Sequence, residues 1–209
     1  MLRAKLGWIL GIAAFVAWAA WHGHQNSCGP FPDWQSSPYV LPYPVGSTHY
    51  VNQANCSNGG HQGPFKYAYD FVMPIGTTVT AARAGVVADV RMKFRDGQHG
   101  EDESNWVKIR HPDGTFAHYG HLTERGALVD VGDHVAAGQP IGLSGNTGNT
   151  GGLPHLHFHL CPCTDVFRCG TLPVTFRNAD PNPDGLEGKR DYLARPGAFV
   201  DLADPGSTR

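Results

Sequence analysis

Three histidines occupy alternate positions in the stretch PHLHFHL, residues 154–160. Because side chains alternate between the two faces of a β-strand, His155, His157 and His159 are expected to project from the same face. Imidazoles grouped in this way can bind a transition metal or carry protons. The alternative is a half-buried strand whose polar face is rich in histidine, and this stretch alone does not decide between the two.

Two further candidate ligands lie in the stretch GGHQGPFKYAYDF, residues 59–71. His61 follows two glycines in a predicted loop, and Asp70 stands among aromatic residues in a predicted strand. Burial of a carboxylate in such a strand is costly unless the carboxylate is paired or bound to a metal. A catalytic zinc takes three protein ligands and leaves a fourth position for water. His157 is a candidate for one ligand, and another strand or loop must supply the others.

The stretch TFAHYGHLT, residues 115–123, adds two more histidines. A spacing of three places His118 and His121 on opposite faces of a regular strand. We therefore expect only one of them to face the same site as His157, and His121, which is followed by Leu122, is the better candidate.

Four motifs occur along the chain in the order H-x-G…Y-A-x-D-F-x-x-P-x-G-T-x-V-x-A, H-Y-x-H-L, G-x-x-V-x-x-G-Q-x-I-G-x-S-G-N-T-G and P-H-L-H-F. In these motifs and their order the chain resembles the lysostaphin-type zinc metallopeptidases, which cut peptide cross-links in bacterial cell walls. The resemblance covers residues 46–165.

The resemblance implies one Zn²⁺ per chain, bound by His61, Asp70 and His157. It also implies that His155 and His121 form the catalytic pair, with His155 as general base and His121 as hydrogen-bond donor to the oxyanion, although these two roles can be shared or exchanged. No Gly-x-Ser-x-Gly elbow and no His-Glu-x-x-His helix supports a serine or thermolysin-like mechanism.

The chain departs from the family pattern at two positions. In the commonest form of the family a histidine ligand lies four residues before the aspartate, where this chain has Lys66. The longer spacing from His61 to Asp70 resembles a variant of the family, so His61 is the ligand that most needs a test. In addition, His159 stands where the family usually has Glu.

The elements that must position these residues are predicted to be short strands. The 27 glycines and 16 prolines separate short runs of Val, Ile, Thr and Phe, and the long amphipathic helices of βαβ units are missing. The stretches GTTVTAARAGVV and GDHVAAGQPIG resemble a loose internal repeat, since each consists of a predicted strand, a turn and a second strand. We therefore predict an all-β fold of antiparallel sheets folded on themselves as a barrel-sandwich or duplicated hybrid motif, with loop-rich termini.

The chain divides by composition into four parts. Residues 1–21 read as a signal peptide or membrane anchor, because two basic residues precede an uncharged apolar stretch from Leu6 to Trp21. Residues 22–45 form a linker or wrapping arm, 46–178 the zinc metallopeptidase domain, and 179–209 a turn-rich tail without a strong element. Within the domain, the charged segment 94–105 is expected to be an exposed hairpin tip with a solvated His99.

Five cysteines allow at most two intrachain disulfides. The most economical pairing joins Cys28 with Cys56 and joins Cys161 or Cys163 with Cys169, which fits an oxidising compartment. Half of a zinc knuckle at residues 161–163 is the weaker alternative, because no second ligand pair follows at the right spacing.

These observations favour an exported zinc endopeptidase that hydrolyses peptides of bacterial peptidoglycan, either periplasmic or extracellular. A retained N-terminal segment would anchor it to the inner membrane. A formal net charge of −2 gives no reason to expect a nucleic acid as partner. The alternatives are a non-catalytic module of the same fold that binds cell wall or activates a hydrolase, and a carrier domain, for which the turn in VAAGQPIG lacks a modifiable lysine.

Overall fold

The structure of the protein is a computed structural model, and it describes residues 28–196. The signal peptide or anchor predicted over 1–21 lies outside the described residues. The chain divides into two units between Pro30 and Phe31, and the fold below is that of the second unit. None of the helices found within residues 28–196 has the length and apolar character needed to cross a bilayer.

The described part of the chain consists of short β-strands joined by turns. The strands are β1 Thr48–Gln53, β2 Tyr69–Val72, β3 Thr78–Thr80, β4 Gly85–Arg91, β5 Trp106–Arg110, β6 Phe116–Gly120, β7 Leu122–Ala127, β8 His134–Val135, β9 Pro140–Ser144, β10 His155–Cys161 and β11 Arg190–Leu193. Helix in this part is limited to a 3-10 turn at Gly63–Phe65 and a short α-helix at Val166–Cys169.

The strands form two sheets, and every named strand pairs with its neighbours in an antiparallel manner. The large sheet has the order β11-β1-β2-β10-β6-β5-β4-β8, and the small sheet has the order β3-β9-β7. The prediction of an all-β fold built from antiparallel sheets is therefore confirmed.

The centre of the large sheet follows from the alternation of side chains along β10. Leu156, Phe158 and Leu160 point to one face and are buried in the core, where Phe158 packs against Tyr119 of β6 and against Phe176. Each such side chain contributes roughly 1.5–3 kcal/mol when it is fully buried. This apolar face fixes β10 in place, so the histidines on its other face are held in register with the neighbouring strands.

The register of β10 with its two neighbours places the candidate site. His157 lies opposite Asp70 of β2 and opposite Gly120 of β6. Because Gly120 has no side chain, the rings of His118 and His157 can both lie close to this position. A methyl group at Gly120 would lie 3.1 Å from Nε2 of His118 and 3.6 Å from Cβ of His157.

The tail contains a strand that the sequence did not indicate. β11 pairs with β1 at the edge of the large sheet, and the hydroxyl of Tyr43 donates a hydrogen bond to the carbonyl of Tyr192 at 2.8 Å. The expectation of no strong element after residue 178 is therefore wrong. β11 is short and half of its residues are charged, which suits an edge strand but hides it from a periodicity search.

The predicted arm, in its described portion, contributes to the core. Tyr39, Leu41 and Tyr43 are all buried, and the backbone N–H of Leu41 donates to Oδ1 of Asn178 at 2.7 Å. This segment therefore packs onto the domain and adds apolar side chains to its interior.

The segment 94–105 is docked by its own side chains. The carboxylate of Asp96 accepts hydrogen bonds from the Asn146 backbone N–H and from the Thr123 hydroxyl. The ring of His99 is exposed, but its Nδ1 lies 3.2 Å from the carbonyl of Gly148. The expectation of an exposed hairpin tip is confirmed, because the segment connects the antiparallel strands β4 and β5 and residues 99–102 are exposed. In addition, the segment contacts the loop 145–152 and braces it.

Cys163 and Cys169 form a disulfide, and Cys161 is a buried free thiol. The prediction that one of Cys161 and Cys163 pairs with Cys169 is confirmed, and Cys163 is the partner. The zinc-knuckle alternative is excluded, because the Cys163 sulfur is already bonded. Cys28 and Cys56 are also in disulfide form, and their pairing with each other stays a prediction.

Candidate metal centre

The carboxylate of Asp70 lies at the centre of a cluster of imidazoles. Its Oδ1 is 2.8 Å from Nδ1 of His157 and 3.5 Å from Nε2 of His155, and its Oδ2 is 3.2 Å from Nε2 of His61. Asp70 is only 4% exposed. Histidines from two distant parts of the sequence therefore converge on one buried carboxylate.

The histidines determine the charge state of Asp70. Burial raises the pKa of the Asp70 carboxyl, but hydrogen bonds from His157 and His61, together with the nearby imidazoles, outweigh burial and hold the pKa well below its usual range. The carboxylate is thus ionised at neutral pH, which is the form that a metal requires.

A loop ahead of the 3-10 turn delivers His61 to the carboxylate. Gly59 and Gly60 have φ values of +124° and +145°, a backbone conformation that favours glycine. Nδ1 of His61 lies 3.1 Å from the carbonyl of Ala54. A carbonyl only accepts, so Nδ1 carries one proton, and Nε2, which faces Asp70, donates to the carboxylate when the ring is doubly protonated. Burial lowers the pKa of His61, but the Asp70 carboxylate outweighs burial and raises it.

His157 is held at both ring nitrogens. Nδ1 faces Asp70, and Nε2 lies 3.0 Å from Nδ1 of His159. Burial lowers the pKa of His157, with partial compensation from Asp70. The ring of Phe65 stands edge-on to the His157 ring, with the centroids 5.7 Å apart. These contacts fix the orientation of the imidazole.

The residues of this cluster fit a metal ion. Ligand atoms of His61, Asp70 and His157 all lie within 4.8 Å of one another, and two imidazoles with one carboxylate form a donor set typical of a catalytic zinc. The backbone carbonyl on His61 fixes the tautomer that presents Nε2 as ligand. Ligand atoms of His121, His155 and His157 also lie within 4.8 Å of one another. The two groups of candidate ligands therefore share His157.

His155 and His121 lie together beside this cluster, with ring centroids 4.7 Å apart. Nδ1 of His155 lies 2.7 Å from the carbonyl of Leu153, and Nδ1 of His121 lies 2.6 Å from the carbonyl of Thr147. In both rings Nδ1 is therefore the protonated donor, and Nε2 is the available atom. Burial, together with the neighbouring histidines, lowers the pKa of His121 to about 3.

His118 also lies at this face of the sheet, contrary to expectation. Its ring is stacked on that of His159 at 4.6 Å and 10°, and it lies 6.4 Å from His157. The His121 ring lies 5.6 Å from His157. Both histidines reach the face because β6 ends at Gly120 and His121 adopts a φ of +62°. This left-handed residue turns the His121 side chain out of the strand alternation.

The predicted site residues are thus brought together: His61, Asp70, His121, His155 and His157. Sequence reasoning missed the ring of Phe65, which contacts both His157 and His159. It also missed the backbone carbonyls of Leu153 and Thr147. The proximity of Phe65 to the YAYDF stretch was an available signal, whereas no sequence pattern marks a carbonyl that orients a ring.

Residues 64–165 match the model of peptidase family M23. His61 lies just ahead of the matched segment. An uncharacterised metalloprotease of Buchnera aphidicola subsp. Baizongia pistaciae is 34% identical over 126 residues, which are 59% of this chain and 30% of that protein. The peptidoglycan DD-endopeptidase ShyA of Vibrio cholerae serotype O1 is 44% identical over 91 residues, which are 44% of this chain and 19% of that protein.

Among solved structures, the catalytic domain of the antimicrobial peptidase lysostaphin from Staphylococcus simulans aligns with 28% identity and a TM-score of 0.43. The alignment covers 60% of this chain and 87% of that domain. The chain spans less than a third of the length of the two sequence relatives named above.

Proposed function

We propose, from the premise that residues 64–165 of this chain form a domain of peptidase family M23, that the protein is an exported zinc-dependent endopeptidase that hydrolyses peptide bonds of bacterial peptidoglycan. The observation that carries this proposal is the convergence of three histidines on the buried Asp70 carboxylate. His155 and His121 add two imidazoles to the three candidate ligands, and a purely structural metal site has no use for them.

The metal ligands in this proposal are Nε2 of His61, the carboxylate of Asp70 and Nδ1 of His157. When bound, zinc lowers the pKa of a water molecule toward about 7 and polarises a peptide carbonyl. Asp70 contributes one negative charge and the two imidazoles none, so a net positive charge is left at the site. Zinc is proposed over harder cations because two of the three donors are nitrogen.

His155 is proposed as the general base. Its Nδ1–H is committed to the Leu153 carbonyl, so Nε2 receives the proton of the attacking water. The imidazolium formed in this way is stabilised by the Asp70 carboxylate, whose Oδ1 lies 3.5 Å away. When the carbon–nitrogen bond breaks, His155 returns this proton to the leaving amine.

His121 is proposed to orient the attacking water. Its Nδ1–H is committed to the Thr147 carbonyl, so its Nε2 accepts a hydrogen bond from the water. Donation from Nε2 to an oxyanion would need a second proton on the ring. The hydrogen bond to Thr147 therefore argues against the oxyanion role for His121 and favours the shared role, in which both histidines act on the attacking water.

Two observations support the substrate and the compartment. A relative that is 44% identical over 91 residues is named as a peptidoglycan DD-endopeptidase. The Cys163–Cys169 disulfide fits the oxidising environment of an exported protein, as does the signal sequence or anchor expected over 1–21.

The experiment that tests the proposal combines metal content with cleavage. The purified chain should contain one zinc and release peptide fragments from isolated peptidoglycan, as measured by chromatography and mass spectrometry. His155→Ala should keep its zinc and lose cleavage, and His157→Ala should lose both. His134→Ala, at an exposed histidine of β8, is the matched control.

Undiminished cleavage in His155→Ala or His157→Ala contradicts the proposal. Stoichiometric zinc without cleavage of any peptidoglycan preparation favours the non-catalytic module instead. Such a module has no need of His121 and His155 beside the metal ligands.

A further inference from the structure

Phe167 is the most exposed large apolar side chain among the described residues, at 76%. It lies in the short helix Val166–Cys169. A phenylalanine ring that stays in water gives up the burial that usually stabilises it. Aromatic residues, phenylalanine included, are enriched in protein binding interfaces relative to the rest of the surface.

The local structure holds Phe167 in this exposed position. The Cys163–Cys169 disulfide closes the segment that carries it, and the carboxylate of Asp165 caps the helix by accepting the backbone N–H of Phe167 at 3.0 Å. The segment therefore cannot easily fold the ring back into the core.

Phe167 is continuous with the metal centre through Phe65. The two phenylalanine rings meet edge to face, with centroids 5.4 Å apart and planes at 87°. Phe65 in turn lies 5.7 Å from His157 and 5.6 Å from His159. We call Phe65 and Phe167 the aromatic wall, which leads from His157 outward to solvent.

The aromatic wall and the catalytic pair flank opposite ends of the histidine row. His121 packs against His155 at one end of the row, and Phe65 packs against His159 at the other end. A peptide whose scissile carbonyl lies near His157 therefore places the residues on one side of the bond along the wall.

We infer that the aromatic wall is a subsite for an apolar side chain in the residues of the peptide substrate next to the scissile bond. An extended peptide advances about 3.4 Å per residue. The ring centroids of His157 and Phe65 lie 5.7 Å apart, and those of Phe65 and Phe167 lie 5.4 Å apart. These distances correspond to the peptide residues nearest the scissile bond. Ring faces and edges bind a methyl group by apolar contact, whereas glycine offers them no side chain. The inference rests on the proposed function, because it takes a peptide as the ligand.

The test compares two synthetic peptides that differ only by alanine or glycine beside the scissile bond, with both alanine stereoisomers included. The zinc-loaded full chain is compared with Phe167→Ala, with the conservative Phe167→Leu and with Leu128→Ala, which removes an exposed apolar side chain elsewhere. Cleavage kinetics and, independently, equilibrium peptide binding by calorimetry are measured for each protein.

Phe167→Ala should lower kcat/KM for the alanine peptide about tenfold, mainly through KM, which corresponds to about 1.4 kcal/mol. The same substitution should change kcat/KM for the glycine peptide less than twofold, and it should leave the zinc content unchanged. Phe167→Leu should retain most of the binding, and Leu128→Ala should match the wild type.

Equal effects of Phe167→Ala on both peptides, or equal affinity of the wild type and Phe167→Ala for the alanine peptide, overturn the inference. Because binding is measured apart from cleavage, the affinity comparison decides the matter even if no peptide is cut, and absence of cleavage by itself contradicts only the proposed function. A loss of binding to anionic vesicles or of self-association in Phe167→Ala, with unchanged peptide affinity, would also overturn the inference by assigning the ring to a membrane or to a second copy.

Discussion

Nε2 of His157 and Nδ1 of His159 lie 3.0 Å apart, which is the distance of a hydrogen bond. When Nδ1 of His157 donates its proton to Asp70, its Nε2 accepts from His159. When Nδ1 serves as a metal ligand, Nε2 carries the proton and donates to His159. Because the imidazole of His159 can donate or accept at Nδ1, it satisfies His157 in both cases, whereas an ionised carboxylate can only accept.

This relationship predicts the effect of replacing His159. His159→Ala removes the acceptor for Nε2–H of His157 and should weaken zinc affinity about tenfold, since loss of such an outer hydrogen bond typically costs roughly 10–100-fold. His159→Glu restores an acceptor and should recover most of the affinity. Competition with a chelating dye measures both constants, and identical affinities in the wild type and His159→Ala would refute the prediction.

A second prediction concerns the ligand that lies outside the matched family segment. His61→Ala should remove a zinc ligand and lower metal affinity by at least about a hundredfold, with loss of cleavage. Lys66→Ala should leave both unchanged, because Lys66 is exposed and a protonated amine is not a ligand. Metal analysis after dialysis against a weak chelator distinguishes the two variants, and retention of one zinc by His61→Ala would show that another residue completes the site.

A third prediction concerns the contact between segment 94–105 and the loop that holds His121. Asp96 accepts from Asn146 and Thr123, and Thr147 in the same loop fixes the His121 ring. Asp96→Ala should therefore lower kcat about tenfold while zinc content is retained, because His121 loses its fixed orientation.

The control for this prediction is Asp102→Ala, which alters an exposed carboxylate of the same segment. Asp102→Ala should behave as the wild type in both kcat and zinc content. If both variants have the same kcat as the wild type, the hydrogen bonds of Asp96 to Asn146 and Thr123 have no part in positioning His121.

A fourth prediction concerns the dependence of stability on pH. Burial lowers the pKa of His111 to about 4, although its hydrogen bond to the Ala84 carbonyl opposes this shift. In the unfolded chain the pKa of a histidine is about 6.5. Between this pH and the folded value of about 4, the unfolded chain therefore binds more protons than the folded protein. Stability falls as the pH falls through this range. The contribution of His111 amounts to about 3 kcal/mol.

Urea unfolding of the wild type and of His111→Asn at several pH values measures this contribution. The free energy difference between the two proteins should shrink or reverse from neutral pH to about pH 4, because asparagine does not titrate. Other histidines contribute equally to both proteins and cancel in the comparison. A difference that is constant with pH would contradict the assignment.

The sequence predicted those parts of the site that depend on strand alternation. The period of two along 154–160 correctly placed His155, His157 and His159 on one face and the apolar residues on the other. The high energetic penalty of a buried carboxylate marked Asp70 as a group that needs partners, and three imidazoles lie within 3.5 Å of its oxygens. Both arguments rest on local geometry and solvation, which a sequence contains.

Other features depended on contacts between distant segments or on single backbone angles. His121 joins His118 at the site face only because it leaves the strand conformation at φ +62°. The packing of Phe167 on Phe65 joins a disulfide-closed helix to a 3-10 turn about a hundred residues earlier in the chain. No spacing rule within one segment predicts such contacts.

The burial of Cys161 has a consequence for the neighbouring disulfide. Cys161, Cys163 and Cys169 lie close together in the sequence and could exchange partners if a thiolate were available to attack a sulfur–sulfur bond. Burial raises the pKa of the Cys161 thiol to about 11, and its side chain is buried at the end of β10. Folding of β10 therefore withdraws the third cysteine from disulfide shuffling and protects the Cys163–Cys169 bond that supports the aromatic wall.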